Sequence, residues 1–235
     1  MTEVKGTRLP DAIYGSSEVD FLYGRFGDDY LNGAENDDRL YGGLGNDLVD
    51  GGEGYDEIRG RDGNDTLIGG EGYAFIMGDR GNDIIIAGWN YSAIYGGEGD
   101  DTLVLAHGSA NGGAGNDFID VGEWDDFGWQ SRAAMGTPRV TDEELDGPTY
   151  VDGGEGQDAV RMAFRLGDDG MSVGWSDYTP GERLELLVFG EDGTPLLDDA
   201  TTKAWLDTDD NGILNDADGD GGWLDVSYNA AVGSL

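Results

Sequence analysis

The chain has 235 residues, 44 of them glycine, a formal charge of −37, no cysteine and a single histidine. Disulfides and thiolate metal sites are therefore excluded, and the glycines lack the three-residue period of collagen. So acidic a chain over 37% hydrophobic content is either disordered or ordered by a cation, and like-charge repulsion disfavours nucleic acid and anionic membranes as partners.

The length fits one or two domains, and one elongated repeat domain would account for most of it. Met1–Lys5 run directly into the first repeat without the apolar core of a signal peptide, and no stretch is long enough to span a bilayer. From Ile13, steps of nine residues land on Leu22, Leu31, Leu40, Val49, Ile58, Leu67, Ile76, Ile85, Ile94 and Leu103, all aliphatic. An Asp stands two residues before each, except at Ala74 and Ser92. The unit reads GGxGxDxUx, with U aliphatic. Its glycines permit a tight turn with inward carbonyls, its Asp adds a hard anionic oxygen, and x-U-x forms a short strand with one inward side chain. One such side chain buries little by itself, so stability must come from stacked neighbours.

This nonapeptide resembles the RTX family of calcium-binding β-roll proteins, closely over 6–120 and more loosely beyond. The resemblance implies an all-β, right-handed parallel β-roll (a β-solenoid). Two repeats make one coil, several Ca2+ ions act as cofactor, and each mid-row Asp serves the sites above and below it. It also implies type I secretion, with which the absent leader is compatible.

Two repeats per coil sort the turns into two rows. One row begins at Gly6, Gly24, Gly42, Gly60, Gly78, Gly96 and Gly112, with its acids at Asp11, Asp29, Asp47, Asp65, Asp83, Asp101 and Asp117. The other begins at Gly15, Gly33, Gly51, Gly69 and Ala87. It keeps Asp20, Asp38 and Asp56, loses the ligand from Ala74 onward, and is two residues short across 105–111. One continuous calcium row and one that stops near Gly69 are expected. Where Asp is lost, Tyr73, Trp89, Tyr91 and Tyr95 appear. They either fasten the turns by packing in place of metal or form an aromatic strip for a ligand such as a sugar. Trp89, Tyr91 and Trp124 are the ligand-binding candidates. His107 reads as an ordinary turn residue, since no second His or Cys exists to build a zinc site.

The repeat breaks over 121–152, an aromatic and acidic insertion with Trp124, Phe127 and Trp129. It is expected on the calcium-poor edge. Thr141–Leu145 resembles a capped helical turn. Register returns at Gly153–Val160, with Asp158 as a ligand. The segments 161–166, 171–175 and 184–189 read as hairpin strands around Gly/Asp turns and, with the last repeat, as a β cap over 153–197. Residues 198–222 form an EF-hand-like helix-loop segment. Asp198–Leu206 can enter as a helix, and Asp207, Asp209, Asn211, the Ile213 carbonyl and Asp218 stand at ligand positions, with Asp where Glu is usual.

No GxSxG, HExxH or phosphate loop is present, and one His cannot supply a His–Asp–nucleophile set. The expected function is a non-catalytic, secreted calcium-binding module that folds in extracellular calcium. The alternatives are a polysaccharide-binding module resembling the repeat modules of alginate epimerases, or an adhesin segment at a cell surface. The strong negative charge argues against an anionic polymer unless calcium bridges it.

Overall fold

A computed structural model describes residues 1–88, 90–122, 149–165, 172–175, 183–189 and 224–227. Its strands are β1 (Thr2–Lys5), β2 (Ala12–Tyr14), β3 (Asp20–Phe26), β4 (Tyr30–Glu35), β5 (Arg39–Leu44) and β6 (Leu48–Asp62). They continue as β7 (Thr66–Ile68), β8 (Glu71–Arg80), β9 (Ile84–Ile86), β10 (Ser92–Glu98), β11 (Thr102–Leu105) and β12 (Gly108–Ala114). The last are β13 (Phe118–Gly122), β14 (Thr149–Glu155), β15 (Ala159–Arg165), β16 (Ser172–Trp175), β17 (Arg183–Phe189) and β18 (Leu224–Ser227). No helix occurs among the described residues.

Apart from the antiparallel pair β16–β18, strands pair in parallel with the strand two repeats away; β6 spans two repeats, so one half pairs with β4 and β7 and the other with β5 and β8. Leu22 lies beside Leu40 and Leu40 beside Ile58, while Leu31 lies beside Val49 and Val49 beside Leu67. The step is 18 residues, two nonapeptides, so the chain is a parallel β-roll with a row of turns along each edge. One stack of strands runs β1, β3, β5, the second half of β6, β8, β10, β12 and β14. The other runs β2, β4, the first half of β6, β7, β9, β11, β13 and β15.

The aliphatic of every repeat turns inward. Leu22, Leu31, Leu40, Val49, Ile58, Leu67, Ile76, Ile85, Ile94 and Leu103 are fully buried and belong to one cluster. At roughly 25 cal/mol per Å2 of apolar surface, no single repeat stabilises itself, and only the continuous column does. The glycines set how closely coils approach. Gly63 has φ +141°, and a Cβ there would run into the carbonyl oxygen of Gly45 in the coil below.

Two expectations need correcting. The segments read as hairpins do not pair with each other. Instead β16 lies parallel on β14 and β17 parallel on β15, so the roll continues, and only β16–β18 is antiparallel. Gly and Asp between short apolar runs serve a coil corner as readily as a hairpin, which is why sequence alone chose wrongly. The insertion is also shorter than 121–152, because Val121 and Gly122 extend β13 and 149–152 already belong to β14. The shortened step is absorbed at one corner. Ser92 lies beside Gly108, Ser92 N–H donates to the His107 carbonyl at 3.0 Å, and Leu105 fills the core. The remaining calls on Thr141–Leu145, Asp198–Leu206 and the loop Asp207–Asp218 fall outside the described residues, as do Trp89 and Trp124.

Candidate metal centre

The Asp of each repeat sits at the corner where the turn enters the next strand, and its two oxygens have different surroundings. On one edge the N–H groups of Asp11, Asp29, Asp47, Asp65, Asp83, Asp101 and Asp117 each donate to Oδ1 of the Asp one coil on, ending at Asp158. The distances are 2.7–2.8 Å. The opposite edge carries the same ladder from Thr2 through Asp20 and Asp38 to Asp56.

Oδ2 is the informative atom. At Asp29, Asp38, Asp47, Asp56, Asp65, Asp83, Asp101 and Asp117 it is buried and has no hydrogen-bond partner. Beside it lies the glycine that begins the turn. A Cβ at Gly24, Gly42, Gly60, Gly78, Gly96 or Gly112 would meet the Oδ2 of the Asp five residues on. It would also meet the carbonyl oxygen of the glycine that begins the next coil. Gly33 and Gly51 make the same cradle on the opposite edge. Each cradle is thus a space lined by a carboxylate oxygen and a carbonyl, which only glycine leaves open. Among the described residues no three acidic or histidine side chains converge. A cation here takes most of its ligands from backbone carbonyls and water, the hard-oxygen set that suits calcium.

The electrostatics agree. Burial, reinforced by neighbouring carboxylates and only partly offset by the backbone N–H bond, pushes Asp38, Asp47, Asp83 and Asp117 up to about 6. It pushes Asp56, Asp65 and Asp101 up to about 7. An ionised carboxylate whose second oxygen is buried without a partner opposes folding, and the arrangement recurs from corner to corner. The folded roll must therefore protonate these acids or neutralise them with a cation.

The rows end differently. At Asp20 burial also pushes the carboxyl upward, but the Ser16 hydroxyl, the Ser16 N–H and the Thr2 N–H outweigh it and hold it below the ordinary value. Oδ2 of Asp11, an expected ligand, likewise accepts from Thr7 N–H at 2.5 Å. On the second edge the cradle closes at Gly69, whose Cβ would meet the Ala74 methyl and Gly88 N–H rather than two oxygens. Ser92 Oγ takes over the ladder, accepting from Ala74 N–H at 3.3 Å. Across that boundary Tyr55 and Tyr73 stack, with centroids 4.6 Å apart and planes at 6°. With the exposed Tyr91, they line a groove that also contains Ala74 and Phe75. β13 ends at Gly122 and β14 begins at Thr149 on this same edge.

Sequence reading missed a second ladder. The turn's fifth residue, left as x, is Asp28, Asn46, Asn64, Asn82, Asp100 and Asn116 along the first edge. Each side-chain oxygen accepts from the backbone N–H of the next. Along the other edge the same position is Asp37, Tyr55, Tyr73 and Tyr91. The signal becomes visible only after the turns are sorted by row.

Stacked coils, a column of inward aliphatics and oxygen cradles at the corners define a cation-binding parallel β-roll. The family model described as the RTX calcium-binding nonapeptide repeat (4 copies) matches residues 14–49, 41–76, 74–90, 92–106 and 109–127. Within residues 14–127 the chain therefore carries RTX calcium-binding nonapeptide repeats. No match was found among the curated proteins.

Two outcomes follow from this geometry. Asp65→Ala removes an Oδ2 from mid-row and the acceptor of Asp47 N–H, and should raise the calcium midpoint about tenfold or more. Asp20→Ala removes an oxygen already satisfied within the protein, and should shift the midpoint by less than about threefold. Isothermal titration of both variants checks this, and equal shifts contradict the assignment.

The second concerns pH. A carboxyl raised in the fold contributes stability that is complete below its unfolded value of 3.8 and lost as pH rises through about 6–7. In chelator, the roll should therefore lose stability as pH rises from about 4 to about 7, the interval between the unfolded and folded values. Protons and calcium compete for the same oxygens, so the calcium midpoint should be severalfold higher at about pH 5.5 than at about pH 7.5. Ordinary carboxylates would leave it unchanged over that interval.

Proposed function

We propose that this chain is a non-catalytic secreted module whose folding is driven by the calcium it meets outside the cell. The observation that carries the proposal is the row of buried Oδ2 atoms, each set against a glycine carbonyl of the next coil. The residues that would hold calcium are Asp29, Asp47, Asp65, Asp83, Asp101 and Asp117 with the carbonyls of Gly42, Gly60, Gly78, Gly96, Gly112 and Gly153. On the second edge, Asp38 and Asp56 would act with Gly51 and Gly69. Bound calcium would supply two positive charges between carboxylates that otherwise repel, with the glycine carbonyl oxygens beside them as further ligands.

In a cell interior, where free calcium is scarce, the chain carries its full −37 charge and the buried acids oppose folding. That state suits passage through an export channel, and RTX repeats are typical of proteins that leave by type I secretion. Outside, binding free energy becomes folding free energy. The loop Asp207–Asp218 is proposed as a further calcium site of EF-hand type, with Asp218 giving a shorter reach than Glu and hence weaker binding.

Circular dichroism and hydrodynamic radius, measured during a calcium titration from chelator, test the proposal. An expanded chain that gains strand signal and contracts cooperatively is the expected result. Magnesium at the same concentration should not substitute, because it dehydrates reluctantly and demands a stricter geometry. A chelated sample as compact and strand-rich as the calcium form contradicts the proposal.

A further inference from the structure

The two outer faces of the roll differ in charge. All seven Lys and Arg side chains of residues 1–122 lie in the stack β1, β3, β5, second half of β6 and β8, or in the turn that leaves β1. Acids accompany them there, and Glu57 pairs with Arg39 and Arg59. The turns along both edges are acidic as well. The centre of the opposite stack carries neither sign.

In that stack the residues on either side of each inward aliphatic face out, and register lines them up in two columns. Leu48, Thr66, Ile84 and Thr102 stand side by side in one, and Ile68 and Ile86 in the other. Ile84 is 45% exposed and Leu48 40%, while Val104, beside Ile86, is already buried. Across β7, β9 and β11 neither column contains a charge. A chain of charge −37 thus leaves branched aliphatics open to water although acids abound elsewhere on it. A contiguous apolar patch with a polar rim marks an interaction surface. Branched aliphatics on one face of a sheet are also what a second sheet packs against.

Charge returns at either end of the patch, as an acid at one and an ion pair at the other. Asp50, beside Ile68, accepts from Asn32 Nδ2 at 3.0 Å. On β15, Arg161 lies over the Phe118 ring at 5.4 Å, and its Nε donates to Asp120 at 2.9 Å. Asp50, Asp120 and Arg161 continue the column of Ile68 and Ile86.

We infer that this face packs against the same face of a second copy of the chain, with the two roll axes antiparallel. Charge selects the partner. Two chains this acidic repel where their turns meet, whereas the uncharged columns let them approach. A two-fold axis along the strands, between β9 and β11, makes the contact isologous and sets Ile84 against Thr102 of the second copy. It also sets Asp50 opposite Arg161 of that copy, since both lie in one column on the third strand from the axis. Parallel packing in the same register would set Asp50 against Leu48 instead. The uncharged centre is roughly 20 Å long at 4.7–4.9 Å per strand and two side chains wide. The contact therefore falls short of the roughly 800 Å2 per partner of a standard interface, and the dimer dissociates on the order of tens of micromolar. The face exists only in the folded roll, and the inference holds whatever drives folding.

Sedimentation velocity of the full chain in calcium, from about 5 to about 500 µM, tests the inference, with circular dichroism establishing that each sample is folded. Monomer should give way to dimer over that range. Raised salt should strengthen association, because it screens the repulsion between acidic copies and leaves the apolar contact intact. Ile84→Glu should weaken association at least about tenfold with an unchanged calcium folding curve, since the side chain is exposed in the single chain. Asp50→Lys should weaken it at least about threefold, by facing Arg161 with a like charge. Met77→Glu, the same kind of change on the opposite stack, should leave it as it is. Folded protein that stays monomeric over the whole range would overturn the inference, as would association that raised salt abolishes. So would dimerisation that Ile84→Glu leaves intact or that Met77→Glu weakens as much, and undiminished association of Asp50→Lys would overturn the antiparallel arrangement.

Discussion

The roll depends on a buried carboxylate oxygen facing a backbone carbonyl across a coil boundary. Both atoms are acceptors, so they cannot satisfy each other, and the fold repeats this unfavourable pairing at corner after corner. Asp Oδ1 knits the coils together through the backbone N–H of the coil before. Oδ2 is left for something positive. Glycine is required at the turn's first position because any Cβ would fill the space where that positive species sits. The same local chemistry thus explains the nine-residue spacing, the composition and the sensitivity of the fold to cations.

The two edges solve the corner problem differently. Along one, acid, glycine and carbonyl persist from Gly24 to Gly112, and an outer ladder of Asn and Asp side chains reinforces the turns. Along the other, Ala74 and Ser92 remove the charge, and the corner closes with a methyl group, a hydroxyl and stacked tyrosines. Past Gly69, no described residue on that edge presents a buried carboxylate oxygen without a partner, so no cation is needed to neutralise one. The edge can therefore accommodate a two-residue shortening and a long insertion without breaking the strand register on either side. A dry, aromatic corner tolerates changes in length that a coordination site does not.

Much of this was legible in the sequence because a solenoid writes its geometry as a period. The inward column from Ile13 to Leu103 and the loss of Asp at Ala74 followed from spacing, and the sorting of turns into two rows from the two-repeat coil that the resemblance implies. What failed were features without a period. After Val160 the coil step grows to 24 residues, as Val160 beside Leu184 demonstrates. A search for 18 found nothing there, and Gly/Asp turns suggested hairpins. The satisfied oxygens of Asp11 and Asp20 were invisible because they depend on Thr7 and Ser16, positions the repeat leaves free. The clustering of basic residues on one stack was also hidden, because net charge carries no information about sides.

The central claim is that charge and geometry at the corners place cations on one edge throughout and on the other only at its beginning. A crystal structure grown in calcium, with ions located by anomalous scattering, tests it most directly. The account predicts ions between successive turns from Gly24 to Gly112, ions on the opposite edge beside Asp38 and Asp56, and none there past Gly69. Ions lined up equally along both edges, or side-chain hydrogen bonds to Oδ2 of Asp47 and Asp65 in their place, would contradict it.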